Sequence, residues 1–396
     1  MIVITFPYFC TLLFWVLMKK TYKILSLFAN VGIAEACLEE LGHKVVVANE
    51  IDPKRAELYQ AIYPESKMVC GDITEDSVFE DILVSSRAAG VDLIMATPPC
   101  QGMSTAGKMR QTDPRNSLFL YAVKLIEELK PDYFIFENVP AFLATKIIYN
   151  GSPTLIPDVI KQELDEDYHL DFMVKNAQDY GVPQRRERMI LLATKKGVSP
   201  RWQCPEPDKH WVTMEEAIGW IPIIDPFVKD LSDDDFHKLF PRYEERKEAA
   251  LKISKYNTPT THVYRNVLAM QHTPTGKSAF ANPPEFMPRK KNGEIVRGFG
   301  NTYKRQSWNV PAYTIAMDNI EISSQNNVHP GRLIGKDEQG NDLYSDARAL
   351  TLFELMILMT LPSNWNLPDW TDLRFFRRIL GEGVPSLFVK KLFMQI

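Results

Sequence analysis

Apolar runs alternate with amphipathic stretches from residue 22 onward. Tyr22–Phe28 is a continuous apolar run, Ala34–Leu41 has helical spacing, and Lys44–Asn49 is a second strand-like run ending at Glu50. Pro53–Tyr63 reads as helix, Met68–Cys70 as a short strand, and Val91–Ala96 as a buried strand. Ser117–Leu129 follows as an amphipathic helix and Tyr133–Phe136 as a further buried strand. Strands alternating with helices of this length predict an α/β fold, a parallel sheet with helices on both faces. Such sheets bind ligands beyond the carboxyl ends of their strands, so functional residues are expected there.

The alternation stops near Gly197, after a strand at Met189–Ala193. The next stretch is rich in Pro and Trp (Pro200, Trp202, Pro205, Pro207, Trp211, Trp220, Pro222). Helical spacing returns at Thr351–Leu361 and Val384–Phe393. At 396 residues the chain is long enough for two domains. The loss of alternation near Gly197 predicts a domain boundary there.

Charge changes the picture locally. The chain holds 46 Lys+Arg against 50 Asp+Glu, a net of −4, which taken whole argues against a nucleic-acid binder. Residues 197–245 hold 5 Lys/Arg and 11 Asp/Glu, whereas residues 246–305 hold 12 and 3. The second block, interleaved with Tyr256, Tyr264, Phe280, Phe299 and Tyr303, is either a polyanion-facing surface or a solvated loop region.

The 5 cysteines (Cys10, Cys37, Cys70, Cys100, Cys204) are scattered and form no C-x-x-C pair. No metal site is expected, and a reducing, cytoplasmic setting is. Met1–Met18 is uncharged and almost wholly apolar, then Lys19 and Lys20 follow. With no basic region before it and no cleavage site after it, the segment fits a secretory signal poorly. We expect a non-native or dispensable extension with Met18 as the working start; a membrane anchor is the alternative.

Three stretches carry chemistry. In Ala96-Thr97-Pro98-Pro99-Cys100-Gln101-Gly102-Met103-Ser104, two prolines stiffen the backbone before Cys100 and a Gly/Ser-containing loop follows. That context favours a thiolate nucleophile over a buried structural thiol. In Phe136-Glu137-Asn138-Val139-Pro140 an acid ends the following strand, either as a general acid or as a cap. In Gln184-Arg185-Arg186-Glu187-Arg188 the alternation puts Arg186 and Arg188 on one side of an extended segment.

In this order and at these separations, the three motifs resemble the DNA (cytosine-5) methyltransferase family. The likeness runs from about Ile24 to the C-terminus. Ser26-Leu27-Phe28-Ala29-Asn30-Val31-Gly32 is similar to the family's cofactor loop. Asn49-Glu50 with Asp52, and Gly71-Asp72-Ile73, resemble its acidic cofactor contacts. Arg348-Ala349-Leu350-Thr351 and Gly381-Glu382-Gly383-Val384-Pro385 resemble its last two motifs.

The resemblance implies a Rossmann-like S-adenosylmethionine-dependent sheet with a smaller target recognition domain: an apolar leader over 1–18, a catalytic and cofactor-binding domain over 19–197, the target recognition domain over 198–325, and a C-terminal segment over 326–396 that returns to the catalytic domain. It implies methyl transfer to C5 of a flipped-out cytosine in a specific duplex sequence. Cys100 would add to C6, Glu137 would hold a proton on N3, Arg188 would bond O2, and Arg186 would support the thiolate. Cofactor contacts would come from Phe28, Asn30, Gly32, Glu50, Ile51, Asp72, Ile73, Pro99, Leu118, Glu382 and Val384. DNA contacts would come from Gln101, Ser104, Gln184, Arg305 and Thr314. The implied partners are double-stranded DNA and a cognate restriction endonuclease, with the enzyme itself a monomer.

The family's loop has Gly where this chain has Asn30 and Ile33. Asn tolerates left-handed backbone and Ile does not, so a local change in the turn or weaker cofactor binding is expected. Two other activities fit the same scaffold: an RNA (tRNA) cytosine-5 methyltransferase and a catalytically inert DNA-binding homologue. A nicotinamide-dependent dehydrogenase is disfavoured because G-x-G-x-x-G is missing after the first strand.

Overall fold

The computed structural model describes residues 20–100, 102–103 and 113–396. The 1–18 leader, Cys10, Gln101 and Ser104 therefore lie outside the described residues. Seven strands form the central sheet: β1 (Lys23–Leu27), β2 (Lys44–Glu50), β3 (Lys67–Cys70), β4 (Leu93–Ala96), β5 (Tyr133–Asn138), β6 (Tyr168–Asn176) and β7 (Glu187–Lys195), in the order β3-β2-β1-β4-β5-β7-β6. The first five pair in parallel, as the strand–helix alternation predicts.

The departure is β7, which runs antiparallel to both β5 and β6. The link Ala177–Arg186 is too short for the crossover that a parallel pair requires, so the chain must turn back beside β6.

The helices follow local rules. α1 (Pro53–Ile62) starts with Pro at its first position, and Asp52 caps it by accepting from the Lys54 and Arg55 amides. α2 (Asp76–Ala89), which the apolar pattern does not mark, ends at Gly90 with φ 70°. α3 (Phe119–Leu129) is the expected amphipathic helix. The helix expected over Ala34–Leu41 is instead a run of turns ending in a 3-10 turn at Glu39–Leu41. Here Ala36, Leu38 and Leu41 donate to carbonyls three residues back, and the buried Glu35 faces inward to accept from the Ser26 hydroxyl.

Alternate residues of the strands feed opposite faces. Leu25, Leu27, Ile94, Phe134 and Phe136 pack under α2 and α3 on one face. Ile24, Leu93, Met95, Tyr133 and Ile135 pack on the other, against Phe388, Leu392 and Phe393 of the C-terminal helix α4 (Ser386–Phe393). The last residues of the chain thus complete the core beneath its first strand. A separate cluster of Val228, Phe236, Phe240, Val267, Met270, Tyr303 and Val328 holds the segment after residue 225 together. Among the described residues, no helix is long and apolar enough to cross a membrane.

Candidate active site

Cys100 stands beyond the end of β4 on a turn tied from both sides. Thr97 donates from its amide to Leu27 O (3.2 Å) and from its hydroxyl to Phe28 O (3.1 Å), linking the turn to β1. From β5, the Asn138 side-chain amide donates to Pro98 O at 2.9 Å, while its Oδ1 accepts from the Val139 amide at 2.8 Å. Asn138 is a positioning residue that the motif contains but that residue chemistry alone does not flag. Its role depends on two strand ends being neighbours.

Glu137 is the penultimate residue of β5 and Arg188 the second of β7, and the antiparallel pairing of those strands brings them together. Arg188 Nε lies 2.7 Å from Glu137 Oε1, with side-chain exposures of 15% and 13%. The contact is an ion pair lacking hydrogen-bond alignment, so Oε1 has no hydrogen-bond donor among the described residues. Arg188 Nη1 donates to Glu187 O at 2.7 Å.

Arg186 lies within electrostatic reach of Arg188, Glu137 and Cys100. It is 1% exposed, and its guanidinium donates to Gly381 O (2.9 Å), Glu382 O (3.2 Å) and Ile315 O (3.4 Å). It acts on the site through its charge while tethering the C-terminal segment.

Burial governs the protonation of both Cys100 and Glu137. Burial pushes the Cys100 thiol up, and the nearby Glu137 carboxylate adds to this; Arg188 and Arg186 oppose without prevailing. The resting residue is therefore held toward its thiol form. Burial also raises Glu137, against the pull of Arg188 and Arg186, which favours its protonated form.

The candidate cofactor residues gather beyond β1, β2 and β3. Phe28, Asn30 and Gly32 sit at φ 59°, 54° and 79°. Ile33 is absent from the positive-φ residues, so the strain expected there does not arise. Ile33 is instead buried against Gly383, where an added Cβ would lie 2.8 Å from Ile33 Cδ1. Glu50 accepts from the Asn30 amide (2.9 Å) and the Asp52 amide (3.0 Å). Burial raises its pKa, against those two bonds and Arg55. Ile51 beside it is 61% exposed, an apolar side chain left uncovered at the strand ends.

Asp72 Oδ1 accepts from the Thr74 amide (2.9 Å), and Asn49 Nδ2 ties β2 to the carbonyls of Val69 (2.9 Å) and Gly71 (3.1 Å). Ile73 and Val384 have core side chains, and Leu118 packs against the core. Pro99 is half-buried in the Cys100 turn. Glu382 is committed to Arg55 by two bonds of 2.8 and 3.2 Å, which takes its carboxylate away from a ligand.

Two expected DNA contacts are corrected. Arg305 is fully buried and donates to the carbonyls of His329, Asp346, Met270 and Ser345 at 2.8–3.1 Å, so no base or phosphate reaches it. Gln184 is also fully buried. It donates to Leu358 O (3.2 Å) and accepts from the Ile315 amide (3.1 Å), clasping the middle of the chain to the sheet. Thr314 is exposed and donates to Arg185 O. Other cations of the basic block are engaged locally, including Arg246 with Asp225 and Lys290 with Glu294.

The chain is 41% identical over 384 residues to the Type II methyltransferase M1.HgaI of Avibacterium volantium, covering 96% of this chain and 99% of that one. It is 29% identical to the Type II methyltransferase M.XorII of Xanthomonas oryzae pv. oryzae, covering 94% and 84%. The solved structure of the Entamoeba histolytica methyltransferase EhMeth shares the fold, with a TM-score of 0.58 at 13% identity over 95% of this chain and 98% of that one. The family profile "C-5 cytosine-specific DNA methylase" matches residues 22–396. The match spans nearly the whole described chain, and the chain belongs to the C-5 cytosine-specific DNA methylase family.

Proposed function

We propose that this protein methylates C5 of a cytosine in a specific duplex DNA sequence, using S-adenosylmethionine and a covalent Cys100–C6 adduct. We further propose that it works as a monomer in the cytoplasm, protecting DNA from a cognate restriction endonuclease. The observation that carries the reading is the convergence of Cys100, Glu137 and Arg188 at the ends of β4, β5 and β7. A pocket at strand ends cannot reach C5 or C6 inside a stacked duplex, so the base must be extruded.

The cofactor loop suits a nucleoside. Ile51 and Phe28 offer apolar surface for a base, Glu50 is an acceptor for ribose hydroxyls, and Asn30 Oδ1 is buried with no hydrogen-bond partner among the described residues. When bound there, S-adenosylmethionine supplies the electrophilic methyl group.

The residues of the chain do the remaining work. Protonated Glu137 donates to cytosine N3, drawing electrons from C6. The Cys100 sulfur, on losing its proton, bonds to C6 and makes C5 nucleophilic, while Arg188 donates to O2. After methyl transfer, loss of the C5 proton and departure of the sulfur restore the aromatic ring. Because the resting thiol is held protonated, nucleophilic attack is coupled to deprotonation when the base arrives.

The test is methyl transfer to unmethylated duplex DNA by wild type and Cys100→Ser, followed by bisulfite sequencing. Activity in wild type alone, with modified cytosines in one sequence context, is expected. Equal activity in the variant, or labelling of tRNA but not duplex DNA, sinks the proposal.

A further inference from the structure

We propose that Phe299 is a wedge that stacks against a base step of the bound duplex, an inference that rests on the DNA-methylating reading above. Phe299 is 79% exposed, the most exposed of the large apolar side chains among the described residues. Single exposed hydrophobes are common, so exposure alone means little. Its setting is what distinguishes it.

Phe299 stands in Arg297-Gly298-Phe299-Gly300-Asn301, between two glycines that carry no side chain to cover it. A Cβ added at Gly300 would meet nothing within 4 Å, and one at Gly298 would strike Phe280 Cζ at 2.9 Å. The turn itself is held firmly. Thr302 donates to Phe299 O from its amide (2.9 Å) and its hydroxyl (2.8 Å), and the Asn326 amide donates to Asn301 O (2.8 Å). Beneath it, Phe280 and Tyr303 meet edge-on at 5.7 Å. A ring presented on an anchored turn loses little freedom on binding.

The surroundings select the partner. Arg297, Lys291 and Lys277 are exposed nearby in the chain. The segment leaving the turn reaches Lys304, whose Nζ donates to Tyr313 OH (2.9 Å) and lies 4.5 Å from that ring. Arg185, next to the Arg186–Arg188 pair, lies 5.7 Å from the same ring. Cations thus flank an aromatic ring between the segment leaving the Phe299 turn and the segment that carries Arg186 and Arg188, a setting that suits a polyanion carrying stacked bases.

The experiment measures equilibrium binding and methyl transfer on unmethylated phage lambda DNA across a salt series, for wild type, F299A, F299W and R297A. F299A is expected to weaken the apparent affinity roughly ten- to a hundredfold, the range of one aromatic–base stack. F299W should restore it to within about threefold. F299A should leave the slope of log affinity against log salt unchanged, since no phosphate contact is lost, whereas R297A should flatten it. Wild-type affinity in F299A, or a loss that tryptophan does not rescue, overturns the wedge. An unchanged melting temperature in F299A is required, so that misfolding cannot mimic the effect. If wild type transfers no methyl group to the DNA, the functional reading fails; if only the variants behave as wild type, the wedge alone fails.

Discussion

Arg188 Nε sits 2.7 Å from Glu137 Oε1 across the β5–β7 ladder, so the arginine that would hold cytosine O2 also balances the acid that would serve N3. Removing it leaves Glu137 buried without its opposite charge. Arg188→Ala is expected to drive Glu137 further toward protonation and to cost about 3 kcal/mol, the lower end for breaking a buried pair. Methyl transfer should fall at least a hundredfold, checked by kcat and by urea unfolding. Glu137→Ala,Arg188→Ala should be closer to Arg188→Ala in stability than the sum of the single changes; strict additivity would show the pair to be uncoupled.

Protonation of the resting thiol makes a kinetic prediction. Burial and Glu137 raise the Cys100 pKa, so the thiolate fraction grows as pH climbs above neutral. Single-turnover adduct formation, followed with duplex DNA carrying 5-fluorocytosine, should accelerate from pH 6.5 to pH 8.5, by about tenfold per unit where thiolate is scarce. A flat profile would mean that ionisation of the thiol does not limit attack.

Asn138 carries the hydrogen bond that fixes the Pro98 carbonyl. Asn138→Ala should lower kcat about tenfold with little change in the KM for DNA, because it misplaces Cys100 without touching the duplex. The loss of stability should be about 1 kcal/mol. A change confined to KM would argue for direct substrate contact.

Glu35, buried under the cofactor loop against Ser26, gives a pH dependence of stability. Burial lifts its pKa from 4.5 to about 7. Between those values the folded chain keeps a proton that the unfolded chain has released, so stability falls as pH rises through the interval and is level above it. The full effect is roughly 3 kcal/mol. Glu35→Gln should flatten the urea midpoint between pH 5 and pH 8, whereas an unchanged slope would place the titration elsewhere.

Arg305 separates a structural from a DNA-binding role. Its guanidinium satisfies four buried carbonyls, so Arg305→Ala should destabilise the fold by about 3 kcal/mol or more. In protein kept folded at low temperature, the salt slope of DNA binding should match wild type.

The sequence by itself determined the strand–helix alternation and singled out Cys100, Glu137 and Arg188 as candidates, which the fold sets at strand ends. These are local properties: an apolar run bounded by turn residues, two prolines before a thiol, alternating arginines. The family resemblance in the motifs also followed from residue order alone.

Only the tertiary structure decided which side chains are available. Arg305, Arg186 and Gln184 read as exposed polar groups in a linear sequence. Each is buried because its carbonyl partners arrive from segments 24 to 196 residues away. The reversal of β7, the clasp of Asn138 on Pro98, and the packing of Ile33 on Gly383 likewise depend on which elements become neighbours. The sequence specifies which groups need partners, but burial and hydrogen-bond satisfaction are properties of the assembled chain.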